Sequence, residues 1–338
     1  MKTIVRSADI DGIMEAARII RNGGLAAFPT ETVYGLGADV FNETAVGSIY
    51  SVKGRPADNP LILHVCDKSQ FYSLTEHLPD YCSVLIDSFW PGPLTIVAAK
   101  NNSVPGWGTA DLSTVAVRMP SNREASLLIE YAQTLIYAPS ANTSGRPSPT
   151  SASHVLTDLD GKIDIILDGG SCIYGLESTV VDVTGNLPRL LRPGFITAEM
   201  IYERTGLYPE TEHLQGKPKS PGMKYTHYAP KAELTVINGS PENAAELINQ
   251  FARSSGKRVG ILATDQTISM YDKHKYCVLN AGDRLKPDCI GASLFAALRA
   301  FDDENIEIIY AEGIIDSGVG AAVMNRLTKA AGGKVINV

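Results

Sequence analysis

The sequence predicts an α/β protein built from two units, and three observations lead there. Its 338 residues exceed the length at which one hydrophobic core usually stops growing. Short apolar runs with strand character alternate with amphipathic helical stretches along most of the chain. Between Tyr208 and Ala232 the alternation stops, and Pro, Gly and Lys replace the apolar periodicity. The expected division is therefore residues 1–207, a linker or active-site lid over 208–232, and a smaller unit over 233–338.

In the first unit, Asp9 to Arg21 has the spacing of an amphipathic helix, and the apolar run GLAAF ends at Phe28. A second helix is expected after Asn42. Further strands are expected at LILHV from Leu61, LTIVAA from Leu94, TVAVRM from Thr114, LIYAP from Leu135, DIILDGG from Asp164 and STVVDVT from Ser178. Four turns interrupt or follow these strands: PTETVYGLG, APSANTSGRPSP, DGGSCIYGLES and LLRPG. Binding groups of α/β sheets collect at strand ends, so these turns are the first candidates for a site. After Ala232 the order strand, helix, strand recurs to a last strand KVINV, which predicts a small parallel three-layer sheet.

Net charge is −7, and all of it falls in residues 1–207, with 15 Lys and Arg against 22 Asp and Glu. A surface that binds nucleic acid without discrimination needs a basic surplus, so strong direct nucleic-acid binding by this unit is not expected. A compact anion needs only a few converging cations. The five cysteines are scattered and form no CxxC pair, which argues for reduced, mostly buried thiols and against a structural zinc site. No apolar run nears the roughly 20 residues that span a bilayer, and the charged start is unlike a signal peptide. A cytoplasmic protein without a membrane anchor is the expectation.

SVKGRPADNP places Lys53, Arg55 and Asn59 on one turn. A lysine and a guanidinium on a rigid turn suit a polyphosphate, although a solvated surface turn has the same composition. PTETVYGLG sets Thr30, Glu31, Thr32 and Tyr34 after a buried strand, with Gly35 and Gly37 permitting close backbone approach; a plain hairpin turn is the alternative. Ser140, Asn142, Ser144, Arg146 and Ser148 lie in a third turn, and Arg192 precedes a Pro-Gly break. The GVGAAV run from Gly318 has two of three dinucleotide-fingerprint glycines and reads as a helix-packing turn. There is no GxxxxGK[ST] loop, HExxH or GxSxG.

Taken in order, FPTETVYGLGA, SVKGRPADNPL, FWPGPLTIV, VAVRMP, APSANTSGRPSPT, GLESTVVDV and LLRPG resemble the YrdC-like threonylcarbamoyl-AMP synthases. SPGMKYTHYAP and the unit after it, with NRLTKAA near its end, resemble the longer two-domain form. The resemblance implies a twisted mixed α/β catalytic domain followed by a Rossmann-like three-layer domain. It implies that Lys53, Arg55, Asn59, Ser140, Ser148 and Arg192 meet ATP, with Thr114 and Tyr228 as weaker contacts, and that Lys53 and Arg55 are catalytic. Thr32, His64, Arg118, Ala138 and Ser178 would hold L-threonine.

The implied reaction joins L-threonine, bicarbonate and ATP, with Mg²⁺ on the phosphates, and passes its product to a tRNA threonylcarbamoyl transferase. Positioning and charge neutralisation would carry the rate, and Glu31 or a metal-bound hydroxide would take the amine proton. Two other readings remain at this stage. One is a non-catalytic double-stranded-RNA-binding or ribosome-associated module, which the acidic first unit disfavours. The other is a carbamoyl-adenylate enzyme of the hydrogenase-maturation kind, whose paired CxxC motifs are missing here.

Overall fold

The computed structural model describes residues 2–211 and 228–338. The expected lid over 208–232 falls mainly on residues 212–227, outside the described residues. The chain separates into two compact units. Among the described residues, the first holds 2–144, 149–173 and 177–211; the second holds Gly145–Ser148, Tyr174–Leu176 and 228–338.

The first unit runs β1 (Ile4–Ser7), α1 (Ile10–Arg21), β2 (Ala26–Phe28), β3 (Gly35–Asp39), α2 (Glu43–Lys53), β4 (Ile62–His64), α3 (Lys68–Leu74), α4 (Asp80–Phe89) and β5 (Leu94–Ala99). It continues through β6 (Thr114–Arg118), α5 (Arg123–Ala132), β7 (Ile136–Tyr137), α6 (Ala152–Leu159), β8 (Ile165–Asp168), β9 (Thr179–Asp182), β10 (Arg189–Arg192), α7 (Ala198–Thr205) and β11 (Glu210–Thr211). The strands form one mixed sheet in the order β1-β8-β2-β3-β7-β4-β6-β5-β9-β10-β11.

Helix α1 starts where Asp9 accepts the Gly12 N–H at 3.0 Å, and it buries Ile13, Ala16, Ala17 and Ile20 at helical spacing against Ala125, Leu128, Ile129 and Ala132 of α5. Asn42 caps α2 in the same way. Gly54, at φ 61°, ends α2 in the left-handed region that glycine enters without a Cβ clash. Lys53 is thus the last helical residue, its side chain 2% exposed.

Two expected turns are partly strand. Gly35 and Gly37 lie in β3, antiparallel to β2, and a Cβ on Gly37 would stand 2.9 Å from the Phe28 ring. These glycines make room for a core aromatic across the hairpin. LLRPG also begins as strand, with Arg192 ending β10. The cysteines are free, as expected, but only Cys82 is buried; Cys66, Cys172 and Cys277 are half-buried and Cys289 is exposed.

The second unit runs β12 (Glu233–Asn238), α8 (Pro241–Ser254), β13 (Val259–Ala263), β14 (Cys277–Asn280), α9 (Pro287–Asp303), β15 (Ile308–Glu312), α10 (Val319–Ala330) and β16 (Val335–Asn337). All five strands are parallel, in the order β14-β13-β15-β12-β16, the three-layer pattern that strand–helix alternation predicts. The GVGAAV run starts α10, and a Cβ on Gly320 would stand 2.0 Å from the Ile315 carbonyl oxygen, as a packing turn requires. Among the described residues no helix is long and apolar enough to cross a membrane.

Candidate active site

In the first unit, four neighbouring strands bring polar residues to one end of the sheet. His64 ends β4 and pairs in register with Arg118, which ends the parallel strand β6. Arg118 faces Thr95 of the antiparallel strand β5, and the Thr95 hydroxyl lies 2.8 Å from Ser178 Oγ, just before β9. Arg192 donates from Nε to the Ser178 carbonyl at 3.0 Å and from Nη2 to Ser178 Oγ at 3.1 Å. All of these side chains are buried.

The loop between β2 and β3 covers this end. Arg118 Nη1 donates to Thr32 Oγ1 at 2.8 Å, and the Thr32 and Thr30 hydroxyls are 2.9 Å apart. Arg118 Nη2 stands 2.8 Å from Glu31 Oε1, with both side chains at most 5% exposed. That approach is off the N–H axis: Nη2 makes an ion pair but no directed hydrogen bond, and Glu31 Oε2 accepts none either. Burial alone raises the Glu31 carboxyl; the Arg118 charge, with the Ser121 N–H, outweighs burial and holds the group below its ordinary range.

His64 is neutral here. Burial, and then the Arg118 charge, push its pKa down to about 3. Its Nδ1 lies 3.1 Å from the Ile62 carbonyl, which also accepts the Ala138 N–H at 2.9 Å. With the proton on Nδ1 directed to that carbonyl, Nε2 is left as an acceptor, suited to a hydroxyl proton.

A second group forms around Lys53, whose Nζ donates to the Ser140 and Asn142 carbonyls. The lysine therefore fastens the APSAN turn to the end of α2. Arg55 donates to the carbonyls of Asn59 at 3.0 Å and Pro60 at 2.8 Å, and the buried Asn59 Oδ1 has no hydrogen-bond partner. Thr114 begins β6, roughly 13 Å along the strand from Arg118 at 3.3 Å per residue, so it does not join the threonine-side group. Ser148 and Tyr228 belong to the second unit. Thr95 escaped the sequence-based residue set; it lies inside a quoted motif, LTIV, but only sheet register and its contact with Ser178 single it out.

Two family models cover the chain: that of the Sua5/YciO/YrdC family, described as telomere recombination, over residues 18–194, and the threonylcarbamoyl-AMP synthase C-terminal domain over residues 196–332. The chain belongs to the Sua5/YrdC family. A threonylcarbamoyl-AMP synthase of Bacillus subtilis is 47% identical over 96% of this chain and 94% of its own length. That of Pyrococcus abyssi is 46% identical over 96% and 95%. A crystal structure of P. abyssi Sua5 complexed with L-threonine superposes with a TM-score of 0.91 at 44% identity, covering 100% of this chain and 99% of that one. Both units of this chain are thus those of a two-domain Sua5-type protein.

Proposed function

We propose that this chain makes L-threonylcarbamoyladenylate from L-threonine, bicarbonate and ATP, releasing pyrophosphate, and that a tRNA threonylcarbamoyl transferase then moves the threonylcarbamoyl group to adenosine N6. One observation carries the reading within this family: at one buried end of the sheet the Arg118 guanidinium and the Glu31 carboxylate pair at 2.8 Å, next to a neutral histidine and the Thr32 and Ser178 hydroxyls. A cation, an anion and hydroxyl partners together match the zwitterion and hydroxyl of an amino acid such as threonine. Arg118 would take the carboxylate, Glu31 would hold the amine and draw off its proton, and His64 Nε2 and Ser178 would receive the side-chain hydroxyl. Thr32 and Ala138 would line this position.

The deprotonated amine captures bicarbonate-derived carbon dioxide as a carbamate. A carbamate oxygen attacks the α-phosphorus of ATP, and the bond from that phosphorus to the bridging oxygen breaks to free pyrophosphate. No protein nucleophile is needed, so rate comes from alignment and from cations facing the departing phosphates. Lys53, Arg55, Asn59, Ser140, Ser148 and Arg192 are the residues we assign to the nucleotide. Mg²⁺ would arrive on the ATP phosphates, as it does where substrate phosphate oxygens supply most of its ligands. A cytoplasmic location follows from the supply of ATP and tRNA.

The test is pyrophosphate release from ATP by the purified full chain, with the nucleotide product identified by mass. Release requires L-threonine and bicarbonate together. Release that ignores threonine, or that carbamoyl phosphate supports in place of both, overturns the reading.

A further inference from the structure

Residues Gly145–Ser148 lie in the second unit although Ser144 and Pro149, on either side, lie in the first. Two of the contacts that hold them there come from one helix. Arg299, 3% exposed, donates from Nη2 to the Pro147 carbonyl at 2.6 Å. One turn on, Asp302 accepts from Arg146 Nη2 at 3.1 Å through Oδ2 and from the Lys231 N–H at 2.7 Å through Oδ1. The Ala229 N–H donates to the Gly145 carbonyl at 2.8 Å. Farther up the same helix, α9, a Cβ on Gly175 would stand 2.5 Å from the Ala292 carbonyl oxygen, so the Tyr174–Leu176 segment also lies directly on it.

These contacts are poor choices for a helix end that serves only its own stability. Asp302 is in the last turn of α9, where the helix dipole disfavours a carboxylate, and its side chain is only 1% exposed. Arg299 is a buried cation directed at a carbonyl of a different segment. The cost of burying each is offset by the segments it grips. Tyr228 is fixed by the same helix, its ring stacked on Phe295 at 5.1 Å, with the Arg326 guanidinium 5.7 Å over its face.

We propose that Arg299 and Asp302 of α9 are positioning residues for ATP: by holding the backbone of Gly145–Pro147 they set the place of Ser148. The proposal rests on the assignment of Ser148 to the nucleotide made above.

The experiment compares Arg299→Met, Arg299→Lys, Asp302→Asn and Arg146→Ala in the full chain, reading KM for ATP, KM for L-threonine, the ATP Kd by calorimetry, and thermal melting. Loss of a buried charge-assisted bond predicts a rise of about 10- to 100-fold in KM and Kd for ATP in Arg299→Met. KM for threonine stays within about twofold, a split that general destabilisation does not produce. Arg299→Lys, which keeps a donor, recovers part of the loss. Arg146→Ala removes a side chain 27% exposed and reads the same grip if Arg299→Met does not fold. Unchanged ATP constants in folded variants, or equal shifts for ATP and threonine, overturn the proposal. Should the parent chain bind ATP yet release no threonine-dependent pyrophosphate, the proposed function fails, and the ATP Kd of the variants still decides this inference.

Discussion

Arg118 and Thr32, 86 residues apart in sequence, are joined by a buried 2.8 Å hydrogen bond from Nη1 to Oγ1. It fixes the loop between β2 and β3 to the end of β6, and it turns the remaining Arg118 nitrogen toward Glu31. The candidate threonine position is therefore held by a charged network, and its members are the natural targets for substitution.

Glu31→Gln leaves Arg118 as a buried cation without a compensating charge. Breaking such a pair from one side costs about 3–5 kcal/mol. Urea denaturation reads this as a lower midpoint at unchanged slope. A midpoint equal to the parent's shows that the pair carries no net stability.

His64 gives the stability a definite pH dependence. Its folded pKa of about 3 lies below the ordinary histidine value, so between about pH 6.5 and 3 the unfolded chain binds a proton that the folded chain does not. Stability contributed by this site is present above pH 6.5 and is lost as pH falls, with a slope approaching 1.4 kcal/mol per pH unit. Glu31, held below its usual range, adds a loss of the same sign at lower pH still. His64→Gln flattens the curve between pH 6.5 and 4.5; an unaltered slope there shows that the histidine is protonated in the folded state.

Amino-acid selectivity follows from the unfilled acceptor on His64 and the hydroxyl of Ser178. Valine fills the space of threonine but leaves the His64 acceptor unpaired, so kcat/KM falls by up to roughly 10⁴-fold. Serine keeps the hydroxyl and loses one methyl, for a drop of about 10- to 200-fold. Steady-state pyrophosphate release with the three amino acids measures this, and equal values for valine and threonine remove the pocket assignment.

Arg55→Ala removes a guanidinium that the Asn59 and Pro60 carbonyls hold in one orientation. A preorganised charged donor of this kind is worth about 2–4 kcal/mol in the transition state, or roughly 30- to 1000-fold in rate. Turnover matching the parent, at an unchanged melting temperature, takes Arg55 out of the mechanism.

The site was legible in the sequence as a set of residue types in motifs, and much less as a set of partnerships. Thr32 and His64 stand out as a hydroxyl in a turn after a buried strand and a histidine in an apolar run; Arg118 and Ser178, and the threonine role of all four, come from the resemblance to the YrdC-like family. Glu31 reads in the sequence only as one candidate base, because nothing local distinguishes a surface carboxylate from one that an arginine 87 positions away will bury. Lys53 illustrates the opposite case. Its motif suggests a phosphate, while the folded chain directs its ammonium group to the Ser140 and Asn142 carbonyls.

Local sequence marks helix α1, the start and stop of α2, most strands of the first unit and the strand–helix alternation of the second. Periods of 2 and 3.6 residues, the caps Asp9 and Asn42, and the Gly54 stop are local properties that act before any long-range contact forms. Tertiary structure alone decided what depends on distant neighbours. Gly35 and Gly37 became strand residues because Phe28 needed their space across a hairpin, and the Glu31–Arg118 pair lost its water because four strands closed around it. Gly145–Ser148 and Tyr174–Leu176 went to the second unit because α9 presents Arg299, Asp302 and a bare backbone surface to them. Burial, and with it the pKa of His64 and the direction of every charged hydrogen bond, is set by which segments meet, and no local pattern encodes that.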